Sequence, residues 1–197
     1  MPAPRQSDLF GAAGPPGLSY AEDFLTAAEE TALIAAIDPL ELAPFRFHGW
    51  LGKRLTASFG WRYDFDDASF RPTAPVPDAL LALRARAATF ACLPEEALVQ
   101  TLVTRYDAGA GIGWHRDRPV FEHVVGISLG AAATLRFRRR REGGFDRVSV
   151  PLAPRSAYSL AGEARWEWEH SIAPIDVVRR SITFRSLSEK GLRVEAG

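Results

Sequence analysis

A single cysteine, Cys92, stands in 197 residues. It cannot form an internal disulfide, and it excludes any zinc or iron–sulfur site that needs several cysteines. No apolar run approaches the ~20 residues that a bilayer-spanning helix requires. The opening MPAPRQSDLFGAAGPPG lacks the basic-then-apolar layout of a secretory signal. These absences predict a cytoplasmic protein with no membrane role. Net charge is missing as well, because 24 basic side chains face 24 acidic ones. A dedicated nucleic-acid binder is usually strongly basic, so affinity for phosphate has to come from a local patch, and RFRRRR (136–141) is the obvious one.

What is present is ordinary for one globular core: 47% hydrophobic and 24% charged residues. Residues 1–17 are rich in Pro, Gly and Ala and predict a flexible tail. A single domain is expected over 18–189, a short tail over 190–197, and a monomer. The spacing predicts a helix over 27–37, where Thr26 caps, Glu29 completes a capping box, and Leu33, Ile34 and Ile37 share a face. A second helix is predicted over 78–90, with Leu80, Leu83, Ala87 and Phe90 at helical spacing. Residues 54–65 read as strand and loop.

From Leu98 the period changes to two. VQTLVTRY, VVGISL, ATLRFR, RVSV, SAYSL and RRSITFRSL are short β-rich runs divided by Gly, Pro and Asp. Short strands without intervening helices predict an antiparallel sandwich or barrel, a mainly β member of the α+β class.

Several polar residues of this half could face a barrel interior. His115 and Asp117 lie two apart in GIGWHRDRP and point the same way on an extended chain. In RWEWEH, Trp166, Trp168 and His170 are expected on one face, with both tryptophans in the core. In RRSITFR, Arg179, Ser181, Thr183 and Arg185 share a face opposite Arg180, Ile182 and Phe184. Two guanidiniums beside two hydroxyls suit a dicarboxylate. Two histidines and a carboxylate with open coordination positions suit non-haem Fe(II), whose oxygenases need a co-substrate that donates two electrons.

In this order the motifs resemble the AlkB-type 2-oxoglutarate/Fe(II) dioxygenases over roughly residues 20–187. The likeness rests on RYDAGAGIGWHRD (105–117), VVGISLG (124–130), EARWEWEH (163–170) and RRSITFR (179–185), the last matching R-x-N-x-T-F-R. KRLTASFG (53–60) is similar to the P-R-x-T-x-x-x-G segment of the nucleotide-recognition lid. The resemblance implies a double-stranded β-helix (jelly roll) with N-terminal helices packed outside. It also implies Fe(II), 2-oxoglutarate and O2, with His115, Asp117 and His170 on the metal. Arg179 and Tyr106 would hold the distal carboxylate, and Arg185 the carboxylate nearer the metal. Thr104 and Ser181 stand where the family often has Asn, and both can still hydrogen-bond. Arg54, Trp61 and Tyr63 of the lid segment are candidates to contact substrate, with ordinary lid packing the alternative for the two rings.

The activity so implied is oxidative dealkylation of N-alkylated nucleic-acid bases, with DNA favoured over RNA. The alternatives are a tRNA-modifying or protein-directed hydroxylase with the same core, or a non-catalytic binding module. QSDLF, Gln6 to Phe10, is similar to the short peptide by which bacterial repair proteins dock on the sliding clamp. His48 and His123 are expected to be structural or exposed, and Arg138 to Arg141 to lie at a hairpin tip.

Overall fold

The computed structural model describes residues 14–47, 50–64 and 69–195. The QSDLF segment and His48 lie outside the described residues. In chain order the elements are β1 (Leu18–Ala21), α1 (Ala27–Ile37), β2 (Ala43–Phe47), β3 (Trp50–Phe59), β4 (Trp61–Tyr63), β5 (Phe70–Pro72), α2 (Leu81–Phe90), β6 (Leu98–Tyr106), β7 (Ala110–His115) and β8 (Phe121–Leu129). Then follow β9 (Ala133–Arg141), β10 (Gly144–Leu152), β11 (Ala157–Leu160), α3 (Gly162–Trp166), β12 (Glu169–Ile175), β13 (Arg179–Leu187) and α4 (Glu189–Glu195). No helix among the described residues is long and apolar enough to cross a membrane.

Two antiparallel sheets make the jelly roll. The larger has seven strands in the order β1-β11-β8-β13-β6-β3-β2, and the smaller has four, β10-β9-β12-β7. The period of two decides which side of the large sheet each residue takes. On β13, Ile182 and Phe184 point outward, and with Val103, Val125, Ile127 and Leu129 they meet the helices. Ile182 and Phe184 are fully buried, each contributing about 1.5–3 kcal/mol. Their neighbours Arg179, Ser181, Thr183 and Arg185 take the inner face and line the space between the sheets.

The helices supply the other half of that outer layer. Thr26 Oγ1 accepts from Glu29 N–H at 3.2 Å, while Glu29 Oε2 accepts from Thr26 N–H at 2.7 Å, so two orphan donors of α1 are satisfied. Leu33 and Ile37 of α1 pack with Leu83, Ala87 and Ala88 of α2. Arg180, on the outer face of β13, ties α1 to the sheet through Asp38 at 2.8 Å.

The sequence-based reading needs correction at RWEWEH. Gly162–Trp166 is a helix, and the strand starts only at Glu169. Gly162 adopts φ +49°, and Ala164 N–H donates to Pro16 O, so the chain turns where alternation predicted extension. Trp168 is core, but Trp166 is half-buried, its Nε1 donating to Glu122 Oε1 at 3.0 Å. Arg165 goes inward, 2% exposed. Glu189–Glu195 forms helix α4, and Gly191 within it is closed in by Val120 O. His123 is half-buried, its backbone N–H and its ring both on Ser186 Oγ.

Candidate metal and co-substrate site

His115 ends β7 and His170 is the second residue of β12, and the antiparallel register sets them directly opposite each other. Their ring centroids are 4.2 Å apart. Asp117 follows in the loop after β7, its Oδ2 3.5 Å from His170 Nε2. One ligand atom from each of the three lies within 4.8 Å of the others. His115 Nδ1 is 2.9 Å from Gly113 O, so Nδ1 carries the proton and Nε2 presents its lone pair.

Electrostatics prepare the triad for a cation. Burial lowers the pKa of His115, against the opposing pull of Asp117. His170 is pushed down to about 3 by burial and by the neighbouring His115. Both imidazoles are therefore neutral at ordinary pH, and the His170–Asp117 approach is a polar contact rather than an ion pair. Burial alone would raise Asp117. The Arg185 guanidinium outweighs it and holds the carboxyl well below the usual range. Arg185 does this at short range, with Nε at 2.8 Å and Nη2 at 2.7 Å from Asp117 Oδ1.

Above the triad, β6 and β13 pair Arg179 with Tyr106, Ser181 with Thr104, and Arg185 with Gln100. All six line one cavity of about 1210 Å³. Arg179 is 1% exposed and lies 5.1 Å from the Tyr106 ring centroid, its Nη2 donating to Ser128 Oγ at 3.1 Å. Its Nε and Nη1 have no hydrogen-bond partner among the described residues, and neither does Asp117 Oδ2. A buried guanidinium edge without a carboxylate is costly unless a ligand supplies one. Two imidazole nitrogens and a carboxylate oxygen suit Fe(II), and an open guanidinium fork suits a carboxylate. The residues present thus fit both the metal and a dicarboxylate.

Arg185 lines the cavity with all three nitrogens engaged, Nε and Nη2 on Asp117 Oδ1 and Nη1 on Gln100 Oε1 at 2.8 Å. Trp61 stacks on Phe70 at 4.7 Å in a small cluster with Phe121 and is not among the residues lining the cavity. Tyr63 and Arg54 do line it. Arg118 sits 4.8 Å from the Tyr63 ring, and the Arg54 guanidinium lies 3.8 Å over Phe45. Burial lowers the Arg54 pKa.

Sequence reasoning missed Gln100, Ser128 and Tyr158. Gln100 alternates with Thr104 and Tyr106 on β6, and Ser128 alternates with Gly126 on β8, which was a usable signal. Tyr158 carried none, since only the pairing of β11 with β8 brings it opposite Gly126. A Cβ on Gly126 would stand 2.3 Å from the Tyr158 ring. Gly126→Ala is therefore expected to destabilise the fold by about 1–3 kcal/mol through overpacking. A urea midpoint equal to that of the parent protein would show that the ring has room to retreat.

The family described as the 2OG-Fe(II) oxygenase superfamily matches residues 17–190, and the chain belongs to it. Among known proteins, its relatives include ALKBH8 proteins, in keeping with the AlkB-type motifs of the sequence. The tRNA (carboxymethyluridine(34)-5-O)-methyltransferase ALKBH8 of Mus musculus is 28% identical over 200 residues, covering 91% of this chain and 29% of that protein. The Alkylated DNA repair protein ALKBH8 homolog of Arabidopsis thaliana is 27% identical over 199 residues, covering 87% of this chain and 55% of that protein. The chain thus spans less than a third of the mouse protein and about half of the plant one. Among solved structures, OsALKBH1 superposes with a TM-score of 0.63 at 17% identity, over 87% of this chain and 97% of that one. A Pseudomonas putida prolyl-4-hydroxylase gives 0.62 at 17% identity, over 87% and 93%. At that identity the likeness is one of fold. The protein is a dioxygenase that uses Fe(II), 2-oxoglutarate and O2.

Proposed function

We propose that this dioxygenase removes alkyl groups from nucleic-acid bases by oxidation. The cavity carries the reading. At about 1210 Å³ it exceeds the ~300–1,000 Å³ of ordinary small-ligand pockets, which leaves space beside 2-oxoglutarate for a base. His115, Asp117 and His170 would hold Fe(II). When bound, the metal with 2-oxoglutarate and O2 supplies the power to hydroxylate a C–H bond, releasing succinate and CO2. An N-methyl carbon hydroxylated in this way loses formaldehyde and leaves the free base.

The chain's own contribution is positional. Arg179 with Tyr106 and Ser181 receives the distal carboxylate, and Thr104 adds a hydroxyl on the facing strand. Arg185 orients Asp117 and keeps it ionised. That Tyr63 and Arg54 line the cavity supports giving them the contact to a base that has left its stack. We place the enzyme in the cytoplasm, where iron stays ferrous and Cys92 stays reduced.

A second reading is favoured by the mouse relative, whose name specifies a tRNA base: the target is then a tRNA nucleoside rather than a lesion. Succinate formation separates the two, using a 1-methyladenine single-stranded oligonucleotide in one arm and bulk tRNA in the other, with His115→Ala as control. Stimulation by the oligonucleotide that is lost in the variant is the expected result. Stimulation by tRNA alone moves the assignment to tRNA modification. Slow turnover indifferent to both sinks the nucleic-acid reading and leaves the oxygenase.

A further inference from the structure

The outer face of the four-stranded sheet carries arginines that the oxidation chemistry does not use. On β9, Leu135 and Phe137 go into the core, so Arg136, Arg138 and Arg140 point outward. The register of β10 sets Phe145 opposite Arg140 and Arg147 opposite Arg138, on that same face. Trp114 joins them from the edge strand β7, one residue before His115. Guanidiniums and rings then alternate across the sheet. Arg136 and Arg138 lie 5.2 and 4.6 Å from the Trp114 ring, and Arg138 and Arg147 lie 4.8 and 5.3 Å from the Phe145 ring.

Little negative charge offsets this ladder. Arg138 has Glu169 at 2.6 Å. Glu163, Glu167 and Asp146 are all engaged by Arg139, and Asp146 also by Arg141. Arg136 donates to Ser171 Oγ, and no carboxylate pairs with Arg136, Arg140 or Arg147 among the described residues. A chain of zero net charge thus concentrates cations here. The face is also continuous with the reaction cavity, because Arg116 borders both that cavity and a second hollow of about 490 Å³ walled by Arg138, Arg140 and Phe145, with Glu167 and Glu169, already engaged by Arg139 and Arg138, on its rim.

We propose that this face is the track for the phosphodiester backbone of a single nucleic-acid strand whose neighbouring base enters the cavity. The proposal rests on the nucleic-acid reading above and names where the rest of the strand lies. Arginines interleaved with aromatic rings offer charge for phosphates and flat surfaces for unstacked bases, a combination suited to single strands.

The test is fluorescence anisotropy of unmodified 15-mer DNA and RNA single strands across a salt series, which reads binding without turnover. Arg140→Gln/Arg147→Gln is compared with Lys190→Gln/Arg193→Gln, a pair of equal charge on α4. Each phosphate contact on a single strand contributes about 0.7 to the slope of log affinity against log salt. The first double variant is therefore expected to lose about 1.4 from the slope and at least tenfold in low-salt affinity, with the α4 variant unchanged. A loss seen with only one kind of strand identifies that strand as the partner. Equal losses in both variants would mean that overall charge alone matters and overturn the track. So would parent-like binding by Arg140→Gln/Arg147→Gln, which leaves the nucleic-acid reading standing. If the parent protein binds neither strand, both proposals fall together.

Discussion

Arg179→Met is expected to abolish productive 2-oxoglutarate binding while leaving the metal-free protein as stable as before, or more so. The two halves of that result have one cause. Arg179 is almost wholly buried with two guanidinium nitrogens unpartnered, so its charge is a burden until a carboxylate arrives. Replacing a buried charged group by an apolar side chain of similar volume is often neutral or stabilising by about 1–4 kcal/mol. Removing one partner of a buried, hydrogen-bonded charge pair costs about 2–5 kcal/mol of binding, or roughly 30- to several-thousand-fold in affinity. Calorimetric titration of 2-oxoglutarate into the manganese-loaded protein, paired with urea denaturation of the metal-free form, reads both. Arg179→Lys should fall between, since it keeps the charge and loses the fork. Affinity within threefold of the parent would show that the distal carboxylate binds elsewhere.

Asp117→Ala is expected to produce the largest loss in the molecule, because one carboxylate serves two partners. Its Oδ2 is open toward the histidines, and removing it takes away the anionic ligand of the triad. Its Oδ1 neutralises Arg185, whose side chain is 12% exposed, and breaking such a buried pair costs about 3–5 kcal/mol. The variant should therefore retain no iron after desalting and should unfold at markedly lower urea. His115→Ala separates the effects. His115 is half-buried and carries no ion pair, so this variant should lose iron with little change in stability. Iron content near one per chain in Asp117→Ala would sink its assignment as a ligand. Equal destabilisation by the two variants would show that Arg185 does not depend on Asp117.

Much of this site was legible in one dimension because strands impose a period of two. The alternation in RRSITFR sorted Arg179, Ser181, Thr183 and Arg185 from Ile182 and Phe184, and the sheet keeps that division. The capping box at Thr26 and Glu29 is equally local, since both bonds close within one turn. RWEWEH was misread for the same reason that RRSITFR was read correctly. Its alternation is as clean as a strand's, and a five-residue helix is too short to show a period of its own. What bends it is a bond from Ala164 to Pro16, which no local pattern announces. Strand β1 escaped notice likewise, because four residues acquire an extended form only by pairing with β11.

The residue types needed for the chemistry, their order along the chain and the face each takes on its own strand were determined by the sequence alone, because side-chain direction follows from backbone geometry within a few residues. Partnership was decided only by the tertiary structure. Register put His170 against His115, turned Arg185 onto Asp117 and Gln100, left Arg179 with an open edge, and stacked Trp61 on Phe70 outside the cavity. These outcomes depend on how strands far apart in the chain slide past one another, and that offset is set by the packing of the whole core.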